Sequence, residues 1–286
     1  MNNLEVSKTS VNVNNKEFEE AEALNDKIEK QQKERTVNYN KIFLETFTER
    51  TEEEEVFNDY ETRKLFGILE LDFRDERCSK FLKEIIAKKI PLPDLRLLSL
   101  RYIEEDDEDL KTVMTNIVVK VQSLFFNNHA KTKYRIKKID IGNYIEDVIN
   151  ILPKVTKDVY FYYMKINGRQ LSSIIKNSSH VTRIGFIKCK ISITSSSLDF
   201  SKPIYKDEDK YSIKSLNFKG CGDGVRGGIM TEDDFQKIIK AISESGLRDS
   251  LTKLRTSMMN IEEEFIKGMM EEYDLENIEL IQVIKK

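Results

Sequence analysis

Cysteine is scarce in this chain of 286 residues: Cys78, Cys189 and Cys221 are all there is. Three thiols cannot all pair and are too few for a disulfide framework, which points to a reducing compartment. Histidine is scarcer still. His129 and His180 are the only two, and neither stands at metal-ligand spacing from a cysteine, so no zinc motif can be written. No run approaches the roughly 20 apolar residues that cross a bilayer. Residues 1–15 have neither the basic start nor the apolar core of a secretory signal, and they match an Arg-rich presequence poorly. These absences lead to the expectation of an intracellular, cytoplasmic protein.

Glycine is equally thin, 11 residues in all, and five of them fall within Gly220–Gly228. A glycine-rich loop can cradle a phosphate, but no Lys-Ser/Thr pair follows, and the dinucleotide spacing G-x-G-x-x-G is missing. This stretch reads as an insertion that lengthens a repeat. Glu104–Asp109 lacks the alternating ligands and central glycine of an EF-hand loop and reads as a solvated helix start. Nothing selects a catalytic set, so neither an enzyme, a cofactor nor a metal is expected.

What the chain has in quantity is charge, 34% of residues, and a recurring apolar phrase. The net charge of −3 hides an imbalance. Residues 1–78 carry 20 acidic against 12 basic side chains, a balance of −8, and the remainder carries 30 against 35, a balance of +5. The phrase is apolar, two residues, apolar, one residue, apolar, two residues, and a ninth position. It reads Leu95-xx-Leu98-x-Leu100-xx-Ile103, then Ile136-xx-Ile139-x-Ile141-xx-Tyr144, then Val181-xx-Ile184-x-Phe186-xx-Cys189. It returns at Ile213-xx-Leu216-x-Phe218-xx-Cys221, Leu251-xx-Leu254-x-Thr256-xx-Met259 and Leu275-xx-Ile278-x-Leu280-xx-Val283. A copy lacking its first residue, Val159-x-Phe161-xx-Met164-x-Ile166, lies between the second and third. Val121-xx-Leu124-x-Phe126 also fits, but it precedes Ile139 by too little for a full repeat, and it reads as the end of a helix begun at Glu104–Asp109.

Between phrases the spacing turns helical. Phe81, Leu82, Ile85, Ile86 and Ile90 form one face behind a Ser79 cap, stopped by Pro91 and Pro93. Ile145, Val148, Ile149 and Leu152 form another; so do Leu171, Ile174 and Ile175, and so do Phe235, Ile238, Ile239 and Ile242. Phe265, Met269 and Met270 form the last. Thr231 with Asp234 suits a helix cap and Gly246 a stop. A strand–helix unit of this kind cannot bury its apolar side alone, whereas stacked neighbours can. The division expected is an acidic N-terminal extension, residues 1–78, helical or disordered (1–15 disordered), followed by a repeat domain at 79–286. Within the extension, Phe18, Ala21, Leu24 and Ile28 mark a thin apolar stripe, Glu52–Glu55 is a solvated charge run, and Val56–Phe73 is apolar enough to pack.

The phrase resembles the leucine-rich repeat superfamily, nearest its ribonuclease-inhibitor-like type, over residues 79–286. At the ninth position, normally Asn or Cys, Cys189 and Cys221 conform, whereas Ile103, Tyr144, Met164, Met259 and Val283 depart. The resemblance implies an α/β fold: a curved solenoid with parallel strands on its concave face and helices on its convex face, used for protein recognition and carrying no catalytic residues. Residues between the apolar anchors would then face outward. The outward set of partner-binding candidates is Arg101, Tyr102, Lys138, Tyr160, Tyr162, Tyr163, Arg183, Lys188, Lys219, Lys253 and Arg255, with Asp140, Asp158 and Glu279 as acidic members and Ile187, Asn217, Met258 and Ile281 among them. Tyr and Arg are frequent interface anchors. The function expected is a non-enzymatic adaptor or scaffold subunit gripping an acidic protein segment, in an assembly for which a cytoskeletal or ciliary place is compatible. The acidic extension of the same chain is one such segment. The alternative is a nucleic-acid-binding subunit stacking bases on the same tyrosines, against which stand a pI of about 5.8 and the lack of a nucleic-acid motif.

Overall fold

The computed structural model describes residues 68–88, 94–103, 120–128, 139–194, 198–204, 210–222, 230–257 and 263–282. The expected N-terminal stripe, the Glu52–Glu55 run, the Glu104–Asp109 helix start, Lys138, Met258 and most of the Gly220–Gly228 loop lie outside these residues. The first described strand, β1 (Ile68–Asp72), is followed by helix α1 (Glu76–Ala87) and then by β2 (Leu95–Arg101) and β3 (Val121–Asn127). A short β4 (Ile139–Asp140) leads through a 3-10 turn into α2 (Ile145–Ile151), then β5 (Val155–Tyr162), β6 (Met164–Asn167) and α3 (Gly168–Asn177). Next come β7 (Arg183–Ile187), β8 (Lys190–Ser192), β9 (Ser215–Phe218), α4 (Glu232–Ser243) and α5 (Leu247–Ser250). The described chain closes with β10 (Lys253–Thr256), α6 (Glu263–Glu272) and β11 (Glu279–Gln282).

Eight strands form one parallel sheet in the order β1-β2-β3-β5-β7-β9-β10-β11, so each strand lies beside the previous one to join it. The short β4, β6 and β8 pair in parallel as a second sheet. The strands β6 and β8 each follow a long strand, β5 and β7, after a sharp corner. The corner is paired backbone to backbone: the Tyr102 N–H donates to the Asn127 carbonyl, Tyr163 to Ile187 and Lys188 to Lys219. Tyr102, Tyr163, Lys188 and Gly220 all hold φ between 53° and 70° at this corner. Only Gly220 adopts that left-handed region without a side-chain penalty. Gly220 and Gly222 therefore serve the corner, and the Gly222 N–H donates to the Cys189 carbonyl.

The strand register corrects the sequence reading at four places. Val121–Asn127 is a strand rather than a helix end, because Leu124 and Phe126 align with Val159 and Phe161 of β5. The copy at Ile136–Tyr144 belongs to the second sheet, with Ile139 opposite Met164. In the last copy Leu280, and not Ile278, aligns with Leu254, a shift of two that keeps the same residues on the same face. The sheet also begins earlier than residue 79: Leu69 and Leu71 of β1 pair with Leu98 and Leu100.

The helices are set by their ends. Asn167 accepts from the Gln170 N–H at 3.0 Å and its own N–H donates to the Gln170 side chain at 2.8 Å, a reciprocal cap for α3. Thr231 accepts from the Asp234 N–H at 3.1 Å and starts α4 as its spacing predicts. Helix α1 begins three residues before Ser79, where Asp75 accepts from the Arg77 N–H, and α4 ends at Ser243, ahead of Gly246. The apolar faces of these helices, including Phe81, Leu171, Ile174, Phe235, Ile238 and Ile242, join the inward strand residues and the second sheet in one core. Phe265 departs from the expected stripe of α6 and is 46% exposed.

In-register pairing stacks like on like. Phe126, Phe161, Phe186 and Phe218 form a buried column with ring centroids 5.0, 5.4 and 5.4 Å apart and interplanar angles of 6°, 8° and 11°. Beside it, the Cys189 thiol points at the Phe161 carbonyl (3.3 Å) and the Cys221 thiol at the Phe186 carbonyl (2.9 Å). Each cysteine thus ties its own corner to the preceding strand. Truncating a ring in this column removes packing against two neighbours. Phe161→Ala or Phe186→Ala should cost about 3–5 kcal/mol in urea unfolding, whereas Phe265→Ala should stay within about 0.5 kcal/mol.

Candidate interaction surface

Strand side chains alternate, so the residues between the core anchors form rows across the opposite face of the sheet. One row holds Ser123, Asp158, Arg183, Ser215, Lys253 and Glu279; the next holds Phe125, Tyr160, Gly185, Asn217, Arg255 and Ile281. Three rings meet where the second row adjoins the next, which holds Asn127, Tyr162 and Ile187. Phe125 and Tyr160 stand edge to face at 5.0 Å, Phe125 and Tyr162 lie 6.1 Å apart, and Tyr160 and Tyr162 6.3 Å apart. All three are half-buried. Burial raises the phenols of Tyr160 and Tyr162 above their ordinary value, so both stay neutral through physiological pH.

Gly185 explains how Tyr160 lies. A Cβ at position 185 would sit 2.3 Å from Cδ1 and 2.6 Å from Cε1 of the Tyr160 ring. Glycine weakens a strand interior, and here it admits the ring of the neighbouring strand. Arg183 and Arg255, both on strands to one side of β5, act electrostatically on the Tyr160 hydroxyl and oppose the effect of burial.

The charges on this face are largely matched from strand to strand. Arg183 grips Asp158 with two bonds of 2.6 and 2.7 Å, and Ser123 donates to the same carboxylate at 3.1 Å. Asp158, expected as an exposed acid, is only 4% exposed. Arg101 faces Glu70 at 3.6 Å and Lys253 faces Glu279 at 2.9 Å. Arg183–Asp158 and Lys253–Glu279 sit directly opposite on adjacent strands and Arg101–Glu70 lies diagonally across β1 and β2, positions where opposite charges attract and like charges would repel. A uniformly basic face is therefore not what the strands present. Among the described residues, Lys188, Lys219 and Arg255 have no carboxylate partner.

The remaining predicted residues divide. Tyr102 carries the Arg74 guanidinium 3.2 Å above its ring, a cation–π contact. Tyr163 sits at the corner and is 7% exposed, and its hydroxyl accepts from Lys188 at 2.9 Å. It covers the fold and is not open to a partner, a correction to the outward reading. Asp140 caps the 3-10 turn by accepting from the Gly142 N–H and belongs to the second sheet. Sequence reasoning missed Phe125, because its strand read as helix, and Gly185, because a glycine carries no side chain to flag. The phrase at Val121 was the signal for the first.

Among the described residues no cluster of three His, Cys, Asp or Glu side chains could hold a metal, and no helix is long and apolar enough to cross a membrane. No family model, curated protein or solved structure matches this chain.

Two stability measurements probe the surface. Gly185→Ala should destabilise by about 1–3 kcal/mol through overpacking, and adding Tyr160→Ala should recover part of it, giving a coupling above about 0.5 kcal/mol in a double-mutant cycle. Arg183→Ala leaves a buried carboxylate short of its partner and should cost about 1–3 kcal/mol. Asp158→Asn in the same background should reduce that loss.

Proposed function

We propose that the chain is a leucine-rich-repeat-like solenoid whose outward sheet face is concave and binds an acidic segment of a partner protein. It would serve as a non-enzymatic adaptor or scaffold subunit of an intracellular assembly, a cytoskeletal or ciliary one included. Strands laid down in chain order, and thiols at the ninth position reaching the preceding strand, support the repeat reading.

One observation carries the binding reading. The three half-buried rings Phe125, Tyr160 and Tyr162 lie on the same face as Arg255, with Lys188 and Lys219 at the corner beyond β7 and β9, and the described residues leave these three cations without carboxylate partners. Aromatic anchors beside a guanidinium are the composition of interface hot spots. The unmatched cations give the charge preference, and charge complementarity acts mainly on specificity and association rate. Arg101, Arg183 and Lys253 contribute less to an acidic partner, because each already faces a carboxylate.

Nucleic-acid binding is the second reading, favoured by the same stacking rings. Neutralised Arg101, Arg183 and Lys253 weigh against it, since phosphate binding scales with the number of free cations.

The test is affinity purification from native extract with the intact chain and with Tyr160→Ala, Tyr162→Ala, Lys188→Ala and Arg255→Ala combined. Loss of two anchors at about 2 kcal/mol each should reduce capture of a defined protein partner at least about tenfold, with the urea midpoint showing that the variant is folded. Retention of the same partners would overturn the proposal. Capture of nucleic acid that falls steeply with salt would move the conclusion to the second reading.

A further inference from the structure

The outward face combines rings with unmatched positive charge around Tyr160 and Arg255, and the sequence holds a segment that joins aromatic rings to clustered carboxylates. Residues 52–61 contain six carboxylates, Glu52, Glu53, Glu54, Glu55, Asp59 and Glu61, together with Phe57 and Tyr60, and no Lys or Arg. They lie outside the described residues, directly upstream of β1, which starts at Ile68.

Geometry allows the segment to reach the face. Ile68 aligns with Leu97, Leu97 with Ser123, Ser123 with Asp158 and Asp158 with Arg183. The chain therefore enters β1 level with the row that lies next to Tyr160 and Arg255. From β1 to β10 there are six strand steps, about 29 Å at about 4.8 Å each. The 13 residues from Glu55 to Ile68 span up to about 45 Å when extended. Tethering at that length sets an effective concentration on the order of millimolar, so even a weak segment would occupy the face for most of the time.

Resting on the acidic-partner reading above, we infer that the acidic, aromatic segment Glu52–Glu61 docks on the Tyr160–Arg255 face of its own chain. There it competes with the external partner. Phe57 and Tyr60 would pack beside Tyr160 and Tyr162, and the carboxylates would neutralise Arg255, Lys219 and Lys188. A partner must then displace the segment, which makes binding selective for ligands that outcompete a tethered rival.

The experiment titrates a labelled synthetic peptide of residues 50–63 into three full-length chains: the natural one, the Glu52→Gln, Glu53→Gln, Glu54→Gln, Glu55→Gln variant, and that variant with Tyr160→Ala and Arg255→Glu added. Removal of the rival should make the glutamine variant bind at least about tenfold more tightly than the natural chain. The added face substitutions should abolish binding. Equal affinity for the first two chains, no binding to either, or binding that survives the face substitutions would each overturn the inference. A sedimenting dimer of the natural chain that dissociates in the glutamine variant would also overturn it, by assigning the segment to a second copy. If the peptide fails while the native-extract partner is still lost on mutation of the face, only the self-docking idea falls. If the peptide behaves as expected and no external partner depends on the face, the adaptor reading falls instead.

Discussion

Everything in this molecule depends on parallel strands pairing in register, strand after strand, without slipping. The buried column of Phe126, Phe161, Phe186 and Phe218 is both the consequence and the lock of that register. Shifting one strand by a single residue would turn its ring to solvent and bring a polar side chain into the core. The backbone tolerates one irregularity, between Val121 and Ser123 against β5, and it lies ahead of the ring positions. Cys189 and Cys221 reinforce the same order from the corner side, because each thiol reaches a carbonyl of the strand before it.

The same register writes the opposite face. Residues that are far apart in sequence become neighbours about 4.8 Å apart in rows, so a charge on one strand meets whatever the next strand offers. Arg183 meets Asp158, Lys253 meets Glu279 and Arg101 meets Glu70. Gly185 meets Tyr160, and the absence of a Cβ lets the ring lie across the neighbouring strand. What remains for a partner is the set that these pairings leave over: the ring cluster and the cations without a carboxylate. A face that looked basic by residue count is thus a mosaic of matched pairs around a smaller cationic, aromatic patch.

That patch connects the two halves of the chain's charge imbalance. On the outward face Arg101, Arg183 and Lys253 are already matched to carboxylates, which leaves few free positions, and the acidic, aromatic residues 52–61 stand just ahead of β1 in the chain. The scaffold proposal and the self-docking proposal use the same surface but make different demands on it. The first requires a surface that a foreign chain can recognise. The second requires only that the segment preceding β1 be long enough and acidic enough to return to it.

The sequence alone determined the class of structure, because the phrase at Leu95, Val181, Ile213 and Leu251 carries its own alternation, and alternation dictates which side chains point inward. It also determined the cap at Thr231 and the equivalent placement of the two cysteines just after β7 and β9, since these rest on spacing within a few residues. It did not determine which of two overlapping phrases near residues 121–144 belonged to the main sheet. Both fit, and only pairing with β5 assigned Phe126 to the ring column, as only pairing with β6 assigned Ile139 to the second sheet. Nor did it reveal that Tyr163 and Asp158 are buried, or that Gly185 makes room for Tyr160. Those depend on what stands beside each residue on another strand, and neighbours 25 or more positions away in the chain are chosen by tertiary packing.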